Sequence, residues 1–333
     1  MNYIGSKYSL LDFLHSTISE VTGYKNGDQY VVADLFAGTG VVGASYRKNG
    51  CRVISNDIQY YSYILNKYYI ENTSTDDAIL LNYLNELPGI EGFVYNNYCA
   101  GSGSGRNYFT DYNGKKCDAI RTELERLHLN NKISDETYFY YLASLINSID
   151  KYANTASVYG AFLKHTKKSA QKSFELELLP LTSGVKGEVY NRDANELITQ
   201  VSGDVLYLDP PYNARQYCTN YHVLETIAKY DNPELKGKTG LRNYDSQKSK
   251  YCSRKTLVSE FDDLIRKAKF KYIFLSYNNE GLMSVETIRN IMSKYGTYFC
   301  YTQTHRRFKA DKSSNRNIGG EETTEYLHCL IKE

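Results

Sequence analysis

The sequence predicts an α/β protein, an open sheet flanked by helices, interrupted by an inserted, mostly helical domain. Three observations predict it. Residues 30–57 form a strand, glycine-turn, helix, strand unit. Strand-like apolar runs resume from residue 187 onward, and the stretch 75–185 between them departs from that pattern. At 333 residues, the chain suits two domains or one large domain with insertions.

In chain order, Tyr30–Phe36 (YVVADLF) is a short apolar strand carrying Asp34 near its end, followed by Gly38, Thr39 and Gly40. Val41–Lys48 begins a helix, Arg52–Ser55 is a second strand ending at Asn56-Asp57, and a long helical stretch runs from Ile58 to about Asn72. The region 75–185 mixes a Gly/Ser cluster (AGSGSGRNYF, 100–109) with helical stretches. One is Asp135–Asp150, where Leu142, Leu145, Ile146 and Ile149 recur at helical spacing. The sheet pattern returns at Gly187–Tyr190, with Asp193 just after, and continues through Asp204–Leu208 into Asp209-Pro210-Pro211-Tyr212. A second polar insertion covers about 213–255. Further strands are expected at Tyr272–Ser276, Tyr298–Gln303 and Glu325–Ile331, the last two able to pair antiparallel across a basic loop. The expected division is 1–74 and 186–333 for the sheet domain and 75–185 for the insertion.

Composition narrows the function classes. A hydrophobic fraction of 41% with 23% charged residues excludes wholesale disorder. Lys+Arg of 40 against Asp+Glu of 38 excludes a globally basic protein but leaves room for local basic patches. No apolar run approaches the length of a membrane span, since Val31–Tyr46 is interrupted by Asp34 and ended by Arg47. The opening MNYIGSKYSLLDF lacks the basic stretch and apolar core of a secretory signal, so a cytoplasmic location is expected. Seven cysteines show no C-x-x-C spacing, and the Cys218/His222 pair has no second ligand pair. Reduced thiols are expected, with no metal. The 34 tyrosines and absent tryptophan suit a wet interface or base stacking, and equally an AT-rich coding bias.

The run Gly38-Thr39-Gly40-Val41-Val42-Gly43 satisfies G-x-G-x-x-G, which lets backbone turn sharply and approach a ligand. Asp57, 17 residues beyond Gly40, ends the next strand, where a carboxylate accepts both ribose hydroxyls and repels a 2′-phosphate. A nicotinamide cofactor and S-adenosylmethionine both present such a ribose. Asp34, just ahead of the first glycine, favours the cationic sulfonium and ammonium of the latter over a pyrophosphate.

Asp209-Pro210-Pro211-Tyr212 leaves a buried strand at its carboxyl end, where ligands bind in open α/β sheets. The two prolines stiffen the backbone and remove amide donors, leaving carbonyl acceptors. The amino nitrogen of adenine is a poor nucleophile because its lone pair is delocalised. A carboxylate and a carbonyl accepting its two hydrogens free that lone pair for in-line attack on a sulfonium methyl, while Tyr212 stacks on the base.

Tyr3-Ile4-Gly5-Ser6-Lys7, Asp34-Leu35-Phe36-Ala37-Gly38-Thr39-Gly40, Asp57 and Asp209-Pro210-Pro211-Tyr212, in that order, resemble the adenine-specific DNA methyltransferases of the Dam-like, alpha-ordered group. Asn213-Ala214-Arg215-Gln216-Tyr217 and Tyr221-His222-Val223-Leu224-Glu225-Thr226 are similar to a branch of type II modification methylases. The resemblance covers roughly half the chain. It implies an open, Rossmann-like, S-adenosylmethionine-dependent methyltransferase sheet with an inserted target-recognition domain, and the activity EC 2.1.1.72. By matching positions it implies that Tyr3 and Lys7 border the methionine end of the cofactor. Asp34, Phe36, Gly38 and Gly40 would line the turn, Asp57 would hold the ribose, and Asp193 would meet the cofactor's adenine amino group. Asp209, Pro210, Pro211 and Tyr212 would hold the target adenine. One departure is that only 15 residues separate Asp193 from Asp209, so recognition is expected mainly in 75–185.

Three segments are locally basic. Lys151–Gly187 carries six basic residues against two acidic, Lys236–Lys255 seven against one, and Tyr301–Asn317 five against one. Within and beside them, Lys164, Lys167, Lys168, Arg215, Lys248, Arg254, Arg306, Arg307 and Lys309 are the candidate phosphate contacts. The expected partner is double-stranded DNA, with a cognate restriction endonuclease as a further candidate, and the expected state is a monomer. An adenine inside a duplex must be flipped out to reach such a site. Rival readings are an RNA adenine methyltransferase, a DNA-binding relative without catalysis, and last a nicotinamide-dependent oxidoreductase.

Overall fold

The computed structural model describes residues 5–73, 77–306 and 322–333. The strands in chain order are β1 (Val31–Asp34), β2 (Arg52–Asn56), β3 (Glu188–Tyr190), β4 (Ser202–Leu208), β5 (Leu235–Lys236), β6 (Leu241–Arg242), β7 (Lys269–Asn278), β8 (Gly296–Arg306) and β9 (Glu322–Lys332). The chain divides into two compact units. One comprises Gly5–Glu71, Ser183–Tyr217 and Gln247–Glu333, and the other Asn72–Thr182 with Cys218–Ser246. The second unit thus takes in part of the polar insertion at 213–255 as well as the long insertion.

The first unit holds a seven-stranded sheet in the order β3-β2-β1-β4-β7-β9-β8. Strands β3, β2, β1, β4 and β7 are parallel, and β9 runs antiparallel to both β7 and β8. The strand order reverses between β1 and β4, so a crevice opens at the carboxyl ends of these two strands. The pairing of Asp34 with both Ser55 and Tyr207 sets β1, β2 and β4 to end at one level.

The apolar runs reflect burial on both faces. Alternate residues Ala33, Ile54, Leu206, Leu208, Ile273 and Leu275 face a core completed by Leu257, Phe261, Leu264 and Ile265 of the helix Leu257–Lys267. Their neighbours Val32, Val53, Val205, Tyr207 and Phe274 face a second core with Leu14 and Ile18 of the helix Leu11–Thr22 and Val42 and Tyr46 of the helix Val41–Lys48.

The elements expected from the sequence lie where its patterns place them, with small shifts, and helices such as Leu11–Thr22, Asp111–Leu129, Leu257–Lys267 and Val285–Met292 add to them. Strand β1 stops at Asp34 rather than Phe36, because the chain there peels away into the glycine turn. The stretch after Ile58 is a helix, Tyr60–Asn66, that widens into a π-helical turn, Lys67–Glu71. Arg47, only 1% exposed, donates to the carbonyls of Tyr69 in that turn, at 2.8 Å, and of Val185, at 3.1 Å. Strands β8 and β9 pair antiparallel from Gly296↔Lys332 to Arg306↔Glu322. The basic loop expected between them lies outside the described residues.

In the second unit the helices Asp111–Leu129 and Asp135–Lys151 begin at Thr110 and Ser134, whose hydroxyls accept the N–H of Asn113 and Thr137. Leu142, Leu145, Ile146 and Ile149 are fully buried, as their spacing predicts. Five tyrosines are buried with them, and each hydroxyl finds an acceptor. Tyr98 donates to the Gly240 carbonyl, Tyr108 to Tyr159, Tyr140 to Leu179 and Tyr141 to Asp77, while Tyr159 donates to the Asp150 carboxylate. Among the described residues, no helix is long and apolar enough to cross a membrane.

Gly40 sits at φ +78°, and a Cβ there would lie 2.8 Å from Asn66 Oδ1. Gly40→Ala is expected to cost about 1–2 kcal/mol from the left-handed backbone alone, seen as a lower Tm. Arg47→Met removes a buried guanidinium from two partly buried carbonyls and is expected to cost about 1–3 kcal/mol in all, measured by urea unfolding.

Candidate active site

The glycine turn leaves β1 and is held from three sides. The Ala37 N–H donates to the Asn56 carbonyl at 3.0 Å, and the Gly38 N–H to Asp57 Oδ2 at 2.8 Å. Asn66 Nδ2 donates to the Gly38 carbonyl at 3.1 Å, and Ser55 Oγ donates to Asn66 Oδ1 at 2.6 Å. Asn56 Nδ2 bridges the carbonyls of Leu35 and Arg192, each at 3.1 Å. Asp57 Oδ1 accepts the Gln59 N–H, so both oxygens of this carboxylate serve nearby backbone. Asp193 caps the short helix Ala194–Leu197, its Oδ1 accepting from Asn195 and Glu196. Phe36 stands edge-on to Tyr251, their ring centroids 5.0 Å apart.

Asp34 is 1% exposed, and its Oδ1 has no partner among the described residues. Burial, then the charges of Asp209 and Asp57, push its carboxyl well above the usual range. An orphaned buried acceptor beside other acids suits a ligand that brings positive charge, which S-adenosylmethionine does.

Asp209 follows β4 at the same edge. Lys7 Nζ lies 3.1 Å from Asp209 Oδ1 and 2.8 Å from Glu325 Oε1 on β9. Glu325 Oε1 also accepts from Ser276 Oγ on β7, at 2.5 Å. Burial pushes the Asp209 carboxyl up to about 6, with Lys7 opposing the shift and Glu325 adding to it. Asp209 and Glu325 keep Lys7 charged against the cost of its burial. Among the described residues, the carbonyl of Pro210 carries no hydrogen bond. Tyr212 is half-buried, stands edge-on to Tyr277 at 6.2 Å, and is tied at its carbonyl by the Leu282 N–H. Gly5, at φ +81°, lets the chain pass close to this ring. A Cβ there would meet the hydroxyls of Tyr217 at 3.2 Å and Tyr212 at 3.8 Å.

The expected residues therefore gather in part. Lys7, Asp34, Gly38, Gly40, Asp57 and Asp209–Tyr212 belong to one strand edge, with Lys7 turned to Asp209. Tyr3, Arg307 and Lys309 lie outside the described residues, and Arg306 is the last residue of β8. Lys164 and Lys168 are exposed in the second unit, while Lys167 is half-buried with Nζ on the Thr155 carbonyl. Arg215, Lys248 and Arg254 are exposed in the first unit. Their segments are joined by the paired hydrogen bonds of Gln216 with Ser249 and by Cys252 Sγ donating to the Arg215 carbonyl.

Two further basic residues of the segment 236–255 are engaged within the fold. Arg242 is buried and bidentate to Asp231, and Lys250 pairs with Glu260, so neither is a bare phosphate contact. His222 places its two ring nitrogens against the carbonyls of Thr219 and Thr239. Asn56, Asn66, Ser276 and Glu325 escaped the sequence reading. Only Glu325 left a signal, an acid just ahead of the mostly apolar run Tyr326–Ile331.

A family model described as D12 class N6 adenine-specific DNA methyltransferase matches residues 3–291. The chain is 53% identical to the Type II methyltransferase M.NlaIII of Neisseria lactamica, over all of this chain and 99% of that protein. It is 34% identical to the Type II methyltransferase M.CviAII of Paramecium bursaria Chlorella virus 1, again over all of this chain and 99% of the relative. Identity to the Type II methyltransferase M.FokI of Planomicrobium okeanokoites is 41%, with this chain spanning 53% of that longer protein. With the acid-rich strand edge, the glycine turn and this match across most of its length, the chain belongs to the D12 class of N6 adenine-specific DNA methyltransferases.

Proposed function

We propose that this methyltransferase, whose methyl donor is S-adenosylmethionine, modifies one adenine of a specific double-stranded DNA sequence after everting it from the helix, and that Asp209–Tyr212 receives the base. The observation that carries this reading is the mostly buried Asp209 carboxylate beside the Pro210 carbonyl, unengaged among the described residues, with the Tyr212 ring next to them. The carboxylate and the carbonyl accept the two amino hydrogens, which frees the nitrogen lone pair for in-line attack. Tyr212 stacks on the base, recovering about 1–3 kcal/mol of the few kcal/mol that eversion costs. The Pro210-Pro211 pair keeps both acceptors stiff.

Gly38, Gly40, Phe36, Asp34, Asp57 and Asp193 hold S-adenosylmethionine, which when bound supplies an electrophilic sulfonium methyl. Asp34 faces its cationic end, Asp57 meets the ribose hydroxyls, and Asp193 meets the adenine amino group. The inserted segment 75–185 reads the target sequence, and Lys164, Lys167, Lys168, Arg215, Lys248, Arg254, Arg306, Arg307 and Lys309 contact phosphates. The enzyme acts as a monomer in the cytoplasm, paired with a restriction endonuclease of the same specificity.

The deciding experiment is to methylate plasmid DNA and map modified bases by single-molecule sequencing. N6-methyladenine at one recurring sequence is expected, and methyl groups found only in structured RNA would defeat the reading. Asp209→Ala is expected to abolish methyl transfer while S-adenosylmethionine binding by calorimetry survives. The ionised carboxylate is the stronger acceptor of the amino hydrogens, and the acid form, which adds a competing O–H donor, is favoured below about pH 6, so single-turnover rates should fall as pH drops through that value. Neutralising Arg306 and Arg307 together should flatten the slope of log K against log[salt] by roughly two; an unchanged slope would take that segment out of the interface.

A further inference from the structure

The ammonium of Lys7 meets not one carboxylate but two. Asp209 Oδ1 is 3.1 Å away and Glu325 Oε1 2.8 Å away, and both Lys7 and Glu325 are buried. Glu325 is itself anchored by Ser276 Oγ. Three neighbouring strands thus contribute to one cluster, with Asp209 beyond β4, Ser276 on β7 and Glu325 on β9. The family match ends at residue 291, before Glu325.

We propose that Glu325 is a positioning residue for methyl transfer: it holds the Lys7 ammonium at Asp209 and leaves the cluster with one excess negative charge facing the target amino group. The inference rests on the assignment of Asp209 to the target base. A lysine paired with Asp209 alone would form a neutral pair and consume the charge needed by the adenine amine. The second carboxylate shares the ammonium, so one cation is set against two anions. During transfer the amino nitrogen gains positive charge, and a fixed negative excess beside it stabilises that charge without reorganisation. Strand β9 suits the task because it is paired on both sides, by β7 and β8, which fixes Glu325 in place.

The charged and titratable groups around Asp209 are Lys7, Glu325, Asp34, Tyr207 and Tyr212. His328, farther along β9, senses Glu325, but burial holds its ring down at about 4, so it stays neutral across the range tested. Glu325 raises the Asp209 carboxyl, so removing its charge lets Asp209 ionise at lower pH.

The test uses the full-length enzyme and a duplex carrying its mapped site. Glu325→Gln keeps size and hydrogen bonding but removes the charge. Its single-turnover rate at pH 7.5 is expected to fall roughly 10–100-fold, and the acid limb of its pH–rate profile to move downward, with S-adenosylmethionine affinity within about threefold of wild type. An acid limb that stays in place, or a wild-type rate, would overturn the proposal. A merely structural role for Glu325 would lower Tm or rate without moving the limb. Ser276→Ala removes only the hydroxyl anchor and should reduce the rate in the same direction by a smaller factor, so the idea stays testable if Glu325→Gln does not fold. The Asp209 assignment fails separately, through turnover retained in Asp209→Asn, whatever Glu325 variants do.

Discussion

Asp34, Asp57 and Asp209 end three adjacent parallel strands at one level, and Glu325 joins them from β9. Such a concentration of buried acid is unfavourable unless positive charge is supplied. Lys7 supplies it for Asp209 and Glu325. Nothing comparable reaches Asp34, whose Oδ1 stays without a partner among the described residues and whose carboxyl is pushed far upward. The edge is thus neutralised from within on the side of Asp209 and poised for a cationic ligand on the side of the glycine turn. A methyltransferase whose donor carries a sulfonium and an ammonium fits that asymmetry.

The turn is held by side chains as much as by its glycines. Asn66, Asn56 and Asp57 all bond to its backbone, and Gly40 is left no room for a side chain by Asn66. The glycine turn is therefore set by its neighbours within the fold, and a turn fixed in advance lowers the ordering cost of binding a ligand. The same logic governs the Asp209 end, where two prolines and the tie from Leu282 stiffen the segment that carries the acceptors.

The abundance of tyrosine has two faces. In the second unit Tyr98, Tyr108, Tyr140, Tyr141 and Tyr159 are core residues whose hydroxyls satisfy loop carbonyls or a carboxylate. They do what leucine or phenylalanine does elsewhere while also pinning irregular backbone. Tyr212, by contrast, is half-buried at the strand edge. Composition counts both kinds alike; only burial separates them.

Local order determined much of what this chain is. Consecutive residues carry the glycine turn and Asp209-Pro210-Pro211-Tyr212, and their conformations follow from neighbours in sequence: a strand before, a helix or a rigid proline pair after. Alternating and continuous apolar runs likewise marked the strands, because residues buried on both faces of a sheet must all be apolar. Tertiary structure alone decided the rest. Glu325 meets Lys7 across 318 residues, Arg242 withdraws into a pair with Asp231, and Asn66 reaches back to Gly38. A charged or amide side chain has the same sequence signature whether it is solvated, buried in a pair or holding a turn. Its role depends on which strand the sheet sets beside it, and strand order is written in contacts between residues far apart in the chain.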